Sequence, residues 1–237
     1  MTRSMAIAAP SIPRCVERLL TKLPPDRRVD GQAWRSLQAF RRAHAPRATV
    51  VRGERWEYVA VGQGASVLLF LHGSAGGLDI WWQQIERVAT CSRVIAVSYP
   101  AVPDLASMRQ GIMAILDREG VRSVRVVGSS LGGYIAQYLT TTDPDRIEAA
   151  VLANSFAPKE LLEREHRRRV ALLTRLPQRL YAWSRRRIIA KQMCSTARPS
   201  ELELAYLTEH TGDKRQVMAR YRCALDRFEP PNPTAHG

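Results

Sequence analysis

The 237-residue sequence has no uninterrupted apolar run of about 18 residues, the length at which a membrane-spanning helix becomes a candidate. Its N-terminus contains only a short apolar stretch, weaker than that of a working signal peptide. The first absence argues against a membrane span and the second against secretion. The sequence therefore predicts a cytoplasmic protein.

Cysteine is scarce, and its spacing excludes two classes of site. The four cysteines form no Cys-x-x-Cys pair: Cys15, Cys91, Cys194 and Cys223. This spacing argues against a zinc site and against a dense disulfide framework, so we expect buried or half-buried thiols and no metal. The Gly-x-Gly-x-x-Gly spacing of a dinucleotide-binding turn and the lysine of a P-loop are absent as well. No cofactor is expected.

Acidic residues are few relative to basic ones, and the excess of basic charge is concentrated late in the chain. The formal net charge is +14, and the segment 159–227 alone holds 17 basic and 8 acidic residues. Such a segment is one of two things. It is a binding surface for nucleic acid, anionic lipid or acidic substrates, or it is the solvated face of helices. It carries no nucleic-acid-binding motif and no interleaved aromatic residues. We therefore favour the solvated face and expect neither nucleic acid nor an anionic membrane as a partner.

Apolar runs alternate with amphipathic segments in the middle of the chain. Strand patterns such as "SVLLFLHG", "RVIAVSYP", "SVRVVG" and "IEAAVLANSF" are separated by helical patterns such as "LASMRQGIMAILDRE". This alternation predicts an α/β fold with a doubly wound, mostly parallel sheet. We divide this single domain into a helical N-terminal extension (1–47), an α/β core (48–158), a basic helical lid (159–228) and a disordered tail (229–237).

The segment "VVGSSLGGYIAQ" has the spacing of a nucleophile elbow. Ser130 is framed by Gly128 and Gly132, with a strand pattern before it and a helix pattern after it. The elbow is a sharp strand-to-helix turn that exposes the nucleophile, and small residues two positions away prevent clashes. A plain strand–helix turn or a phosphate-binding loop would also contain glycines. The flanking patterns favour Ser130 as a nucleophile.

The segment "FLHGSAGGLDIWW" predicts the second half of a catalytic site. A His72-Gly73 turn after the third strand would place backbone amides opposite the nucleophile. The amide of Leu131, with that of Ser74 or Ala75, would then stabilise a tetrahedral oxyanion. We expect His72 to order the turn by hydrogen bonding rather than to act as a base. The two tryptophans that follow either pack in the core or line an acyl pocket, and at least one is expected in the core.

With these motifs, the sequence resembles the α/β-hydrolase superfamily. Within it, the sequence is most similar to the maspardin branch, on the segments "RVIAVSYP" (93–100), "VGSSLGGYIAQ" (127–137) and "VLANSF" (151–156). The resemblance covers residues 48–158 and implies a Ser–acid–His triad in that chain order. It places the acid after a seventh strand and the histidine after an eighth.

The partners of Ser130 that the resemblance implies are not visible. After the sixth strand pattern, no apolar run followed by Asp and then by Gly-His occurs, so strands seven and eight are expected to be missing. The remaining candidates do not follow a core strand: His44, His166, His210, His236, Asp213 and Asp226. Two hypotheses stay open. The chain is a fragment of a serine hydrolase acting on an ester, thioester or amide, or it is a non-catalytic, maspardin-like scaffold for protein interaction.

The two hypotheses differ in the partner that they require. The hydrolase takes a small-molecule acyl substrate, whereas the scaffold takes a protein partner. Without two further strands, "IEAAVLAN" would form an exposed, apolar sheet edge, which favours association. We therefore expect the chain alone to form a homo-oligomer or to be poorly soluble.

Overall fold

A six-stranded sheet forms the centre of the computed structural model, which describes residues 31–157, 167, 170–184, 206, 209 and 213–229. The strands lie in the spatial order β1-β2-β4-β3-β5-β6. β1, β2 and β4 pair antiparallel, while β4, β3, β5 and β6 pair parallel. The predicted mostly parallel sheet is confirmed. The strands are β1 (Arg47–Val51), β2 (Glu54–Val61), β3 (Val67–Leu71), β4 (Arg93–Ser98), β5 (Val124–Ser129) and β6 (Ile147–Ala153).

Helices cover both faces of the sheet because successive strand residues point to opposite sides. In β3, Leu69 and Leu71 join the core cluster that includes residues of α3 and α4, whereas Phe70 joins the cluster that includes residues of α1 and α2. This is the packing of a doubly wound fold. The helices with described boundaries are α1 (Gly31–Ala43), α2 (Trp82–Val88), α3 (Leu105–Arg118), α4 (Leu131–Thr142) and α5 (Lys214–Leu225). Among the described residues, no helix is both long and apolar enough to cross a bilayer.

Helix α5 packs on the α/β core although it lies far along the chain. It contacts α4, and its Cys223 is fully buried in the larger core cluster. Asp213 caps the start of α5, and Asp226 accepts a hydrogen bond from the amide of Leu105 at the start of α3 (2.9 Å). Both carboxylates therefore have structural roles. The division into extension, core, lid and tail stays a prediction, and residues 1–30 and 230–237 lie outside the described residues.

The thiols differ from the expectation in one case. Cys223 is buried, but Cys91 is exposed because it lies in the turn between α2 and β4. Cys15 and Cys194 fall outside the described residues.

Strand β6 forms one edge of the described sheet. Its one neighbour there is β5. Val151 and Leu152 are 59% and 46% exposed. An exposed, apolar edge strand presents unpaired backbone groups to other chains.

Candidate active site

The turn between β5 and α4 holds Ser130 in a strained backbone conformation. Its φ of 53° and ψ of −117° lie in a region that non-glycine residues rarely occupy. Two hydrogen bonds to the end of β6 and the segment after it hold Ser130 in this conformation. The Ser130 amide donates to Ala153 O (2.9 Å), and Ser155 Oγ donates to Ser130 O (3.2 Å). The Ser130 hydroxyl does not cap α4. This is the geometry that an elbow needs to present its nucleophile.

The glycines around Ser130 let three backbone segments approach closely. A Cβ on Gly128 would lie 2.3 Å from Gly132 O, and a Cβ on Gly132 would lie 2.1 Å from Leu71 O. A Cβ on Gly73 would lie 3.3 Å from Ser130 Cβ. The elbow therefore sits directly against the end of β3 and the turn that follows it.

His72 lies inside that turn. Its ring is buried, and its Nδ1 lies 2.6 Å from Gly73 O. The ring stacks on Tyr99 with centroids 3.9 Å apart, and Tyr99 Oη donates to His72 O (3.0 Å). Burial raises the pKa of Tyr99, so its hydroxyl stays protonated as a donor. These contacts orient the turn and assign no base role to His72.

The candidate oxyanion amides belong to two segments beside Ser130. Gly76 N donates to Gly73 O (3.1 Å), which closes a turn with Ser74 and Ala75 at its centre. This hydrogen bond does not involve the amide of Ser74 or that of Ala75. Leu131 is the first residue of α4, so its amide has no acceptor within the helix. The candidate oxyanion donors thus lie on the two segments that meet at Ser130.

A cavity of about 350 Å³ opens between these segments. Ser130 lines it, and so do Ser74 and Ala75 of the turn. Its remaining walls are Gly73, Gly76, Ile80, Trp81, Gln84 and Ser129. Trp82, in contrast, is buried in the core. One tryptophan therefore packs in the core and the other lines the pocket.

No described histidine is placed to activate Ser130. His44 packs against Phe40 at the end of α1, with tilted rings whose centroids lie 4.8 Å apart, and His72 is held in the turn. His166, His210 and His236 lie outside the described residues.

Two functional contacts of the turn come from residues that the sequence did not single out. Arg220 of α5 is buried and donates to the carbonyls of Ser74 and Gly76. Tyr206 Oη accepts from the Gly77 amide (3.0 Å) and hydrogen-bonds the Asp79 carboxylate. The charge pattern predicts solvated basic residues in 159–227, but Arg220 is buried. One sequence feature indicates that Arg220 is buried. It lies three residues from both Val217 and Cys223, on the buried face of α5.

Comparison with known proteins places these features in one family. A family model for the alpha/beta hydrolase fold matches residues 66–235. The chain is 32% identical over 113 residues to the dihydrolipoyllysine-residue acetyltransferase component of the acetoin cleaving system of Cupriavidus necator. It is 33% identical over 93 residues to human maspardin, which confirms the expected likeness. The matches cover 44% and 38% of this chain, and the chain spans only 30% of either relative.

A solved structure agrees with the fold. A hydrolase from Pseudomonas aeruginosa superposes with a TM-score of 0.64 at 20% identity, over 77% of this chain and 73% of that one. An identity this low bears on the fold alone. The family model itself covers most of the chain, from before β3 to beyond α5. The chain belongs to the alpha/beta hydrolase fold family.

Proposed function

We propose that this chain is a serine hydrolase of the acyl-transfer type, with Ser130 as its nucleophile. The observation that supports this most is the strained Ser130 backbone on a pocket that the turn at Ser74 and Ala75 also lines. Strain of this kind persists only where the surrounding structure enforces it, and it clusters at active sites. The substrate is an ester, thioester or amide with an apolar acyl group, since Ile80 and Trp81 line the pocket.

The reaction follows from the groups around the pocket. Ser130 Oγ attacks the acyl carbon, and the electron pair of the carbonyl moves to its oxygen. Amides of Leu131 and of Ser74 or Ala75 donate to that oxyanion. Its collapse expels the leaving group, and water then releases the acyl group from Ser130. A base takes the proton of Ser130 and passes it to the leaving group, and it then takes a proton from the attacking water. The described histidines do not supply this base, and His166, His210 and His236 lie outside the described residues.

Replacement of Ser130 by alanine is expected to reduce ester hydrolysis by about 1,000-fold or more, because it removes the nucleophile. The measurement is turnover of p-nitrophenyl acetate, butyrate, octanoate and dodecanoate by the 237-residue chain. Ser129→Ala is the matched control, since Ser129 lines the same pocket. It should stay within a few-fold of wild type. Equal turnover by wild type and Ser130→Ala would exclude Ser130 as the nucleophile.

A second candidate function is that of a non-catalytic scaffold. Two observations favour it: the contacts of the two described histidines, His44 and His72, assign a base role to neither, and β6 carries exposed apolar side chains at the sheet edge. We take the partner to be a second copy of the chain, paired through β6. Such a scaffold would remain folded and associated whether or not Ser130 is present.

This association predicts a dimer in sedimentation velocity. Val151→Lys should shift the chain to a monomer, because a lysine on an edge strand opposes strand addition. Val50→Lys on β1, at the opposite edge, is the matched control and should leave the dimer intact. A wild-type chain that sediments as a monomer would contradict pairing through β6.

A further inference from the structure

Arg220 places a buried guanidinium group directly on the turn that follows β3. The residue is only 2% exposed. Its Nη1 donates to Ser74 O and to Gly76 O, both at 3.0 Å, and its Nη2 donates to Tyr99 O at 3.3 Å. One side chain of α5 therefore binds two carbonyls of the turn and one of the segment after β4.

The charge of Arg220 has no carboxylate ion pair within the described part of the chain. Its partners there are three carbonyls and the Tyr99 ring, whose centroid lies 5.9 Å from the guanidinium carbon. Burial lowers the pKa of Arg220, although a guanidinium stays protonated in proteins. A buried charge is costly unless hydrogen bonds compensate it. The carbonyls of the turn supply much of that compensation, so the turn and the guanidinium hold each other in place.

The position of the guanidinium fixes the direction of one amide. The peptide unit between Ser74 and Ala75 is planar and trans, so the Ser74 carbonyl and the Ala75 N–H point in opposite directions. The carbonyl points to Arg220, which is buried and does not line the pocket. Ala75 does line the pocket. The Ala75 N–H is therefore directed away from Arg220, towards the pocket side of the turn.

We propose that Arg220 is a positioning residue that fixes the Ser74–Ala75 peptide and so directs the Ala75 N–H to the pocket as the second oxyanion donor. The proposal rests on the serine hydrolase function above, and it adds to that function the choice of donor and the group that orients it. The buried positive charge behind the turn also favours negative charge developing at the pocket side.

Amide hydrogen exchange tests the positioning without any catalysis. In Arg220→Met, the peptide covering residues 72–77 should exchange about tenfold faster than in wild type, since its anchoring hydrogen bonds are lost. Arg222→Met is the matched control, because Arg222 is an exposed arginine on the same helix. It should exchange as wild type does. If Arg220→Met does not fold, Arg220→Lys takes its place, because lysine keeps the charge but lacks the planar guanidinium fork that holds these carbonyls together.

Reaction of Ser130 with a fluorophosphonate tests whether the position of this peptide affects the reactivity of Ser130. Per folded molecule, the labelling rate should fall about 100-fold in Arg220→Met and remain at the wild-type value in Arg222→Met. In ester hydrolysis, kcat should fall while KM stays within twofold, a split that simple destabilisation would not produce. Unchanged exchange at residues 72–77, or labelling of folded Arg220→Met at the wild-type rate, would overturn the proposal. If wild type shows neither labelling nor turnover, the serine hydrolase function fails, and exchange alone then decides whether Arg220 fixes the turn.

Discussion

Gly132→Ala is expected to destabilise the fold by about 3 kcal/mol and to slow the reaction of Ser130 with a fluorophosphonate by about 100-fold. The added Cβ would lie 2.1 Å from Leu71 O and 2.8 Å from His72 O. Both atoms are backbone, so rotation of a side chain cannot relieve the contact. Relief requires α4 to move away from the end of β3, which separates Ser130 from the turn that holds Ser74 and Ala75.

Urea denaturation measures the first effect, and labelling per folded molecule measures the second. Gly53→Ala is the control for a glycine-to-alanine change far from the elbow. No atom lies within 4 Å of its added Cβ, and only its φ of +80° opposes the change, at about 1 kcal/mol. It should leave labelling unchanged. A Gly132→Ala variant with wild-type stability and wild-type labelling would contradict the close packing of elbow, β3 and turn.

Glu119→Gln is expected to destabilise the chain by about 3 kcal/mol at pH 7. The Glu119 side chain is only 7% exposed. It accepts hydrogen bonds from Tyr58 Oη (2.7 Å) and Arg47 Nη1 (2.8 Å) and pairs with Arg93. The carboxylate thus ties the end of α3 to β1, β2 and β4, and an amide would leave the two guanidinium groups without their counter-charge.

The effect of Glu119→Gln should depend on pH in a defined direction. Burial by itself raises the pKa of Glu119, but the hydrogen bonds from Tyr58 and Arg47 and the charge of Arg47 outweigh it, so the pKa lies below its ordinary value of 4.5. The stabilisation is therefore fully present above pH 4.5 and is lost as the pH falls through the pKa of the folded state.

Urea denaturation of wild type and Glu119→Gln across this range measures that loss. Glu57→Gln is the matched control, because Glu57 pairs with Arg55 at an exposed site, and it should change stability by no more than about 0.5 kcal/mol. A difference between wild type and Glu119→Gln that stays constant down to the lowest pH would refute this account of Glu119.

Local sequence signals predicted the sheet because each strand carries its own pattern and each turn its own residues. Strand β3 shows this, since the apolar pattern "SVLLFLHG" contains the whole strand and ends in the glycine of the following turn. The elbow was equally predictable, because its strand, serine and glycines lie within a few residues. The family likeness followed from the same segments.

The supports of the turn were not predictable, because they come from distant parts of the chain. Arg220 lies 146 residues from Ser74, and Tyr206 lies 129 residues from Gly77. An arginine-rich segment is usually solvated, and nothing local distinguishes a buried arginine from its exposed neighbours except its place on the helix stripe. The different positions of Trp81, which lines the pocket, and Trp82, which is buried, were not predictable either. They depend on the junction between the short helical turn that ends at Trp81 and α2, which begins at Trp82.

The mass of the intact 237-residue chain after incubation with a fluorophosphonate tests most directly whether Ser130 is an activated nucleophile. Attack of Ser130 Oγ on phosphorus expels fluoride and leaves one phosphonyl group on the protein. We expect a single added group in folded wild type, mapped by peptide sequencing to Ser130, and none in folded Ser130→Ala. A folded wild-type chain that stays unmodified, or a group that maps to another residue, would contradict the account.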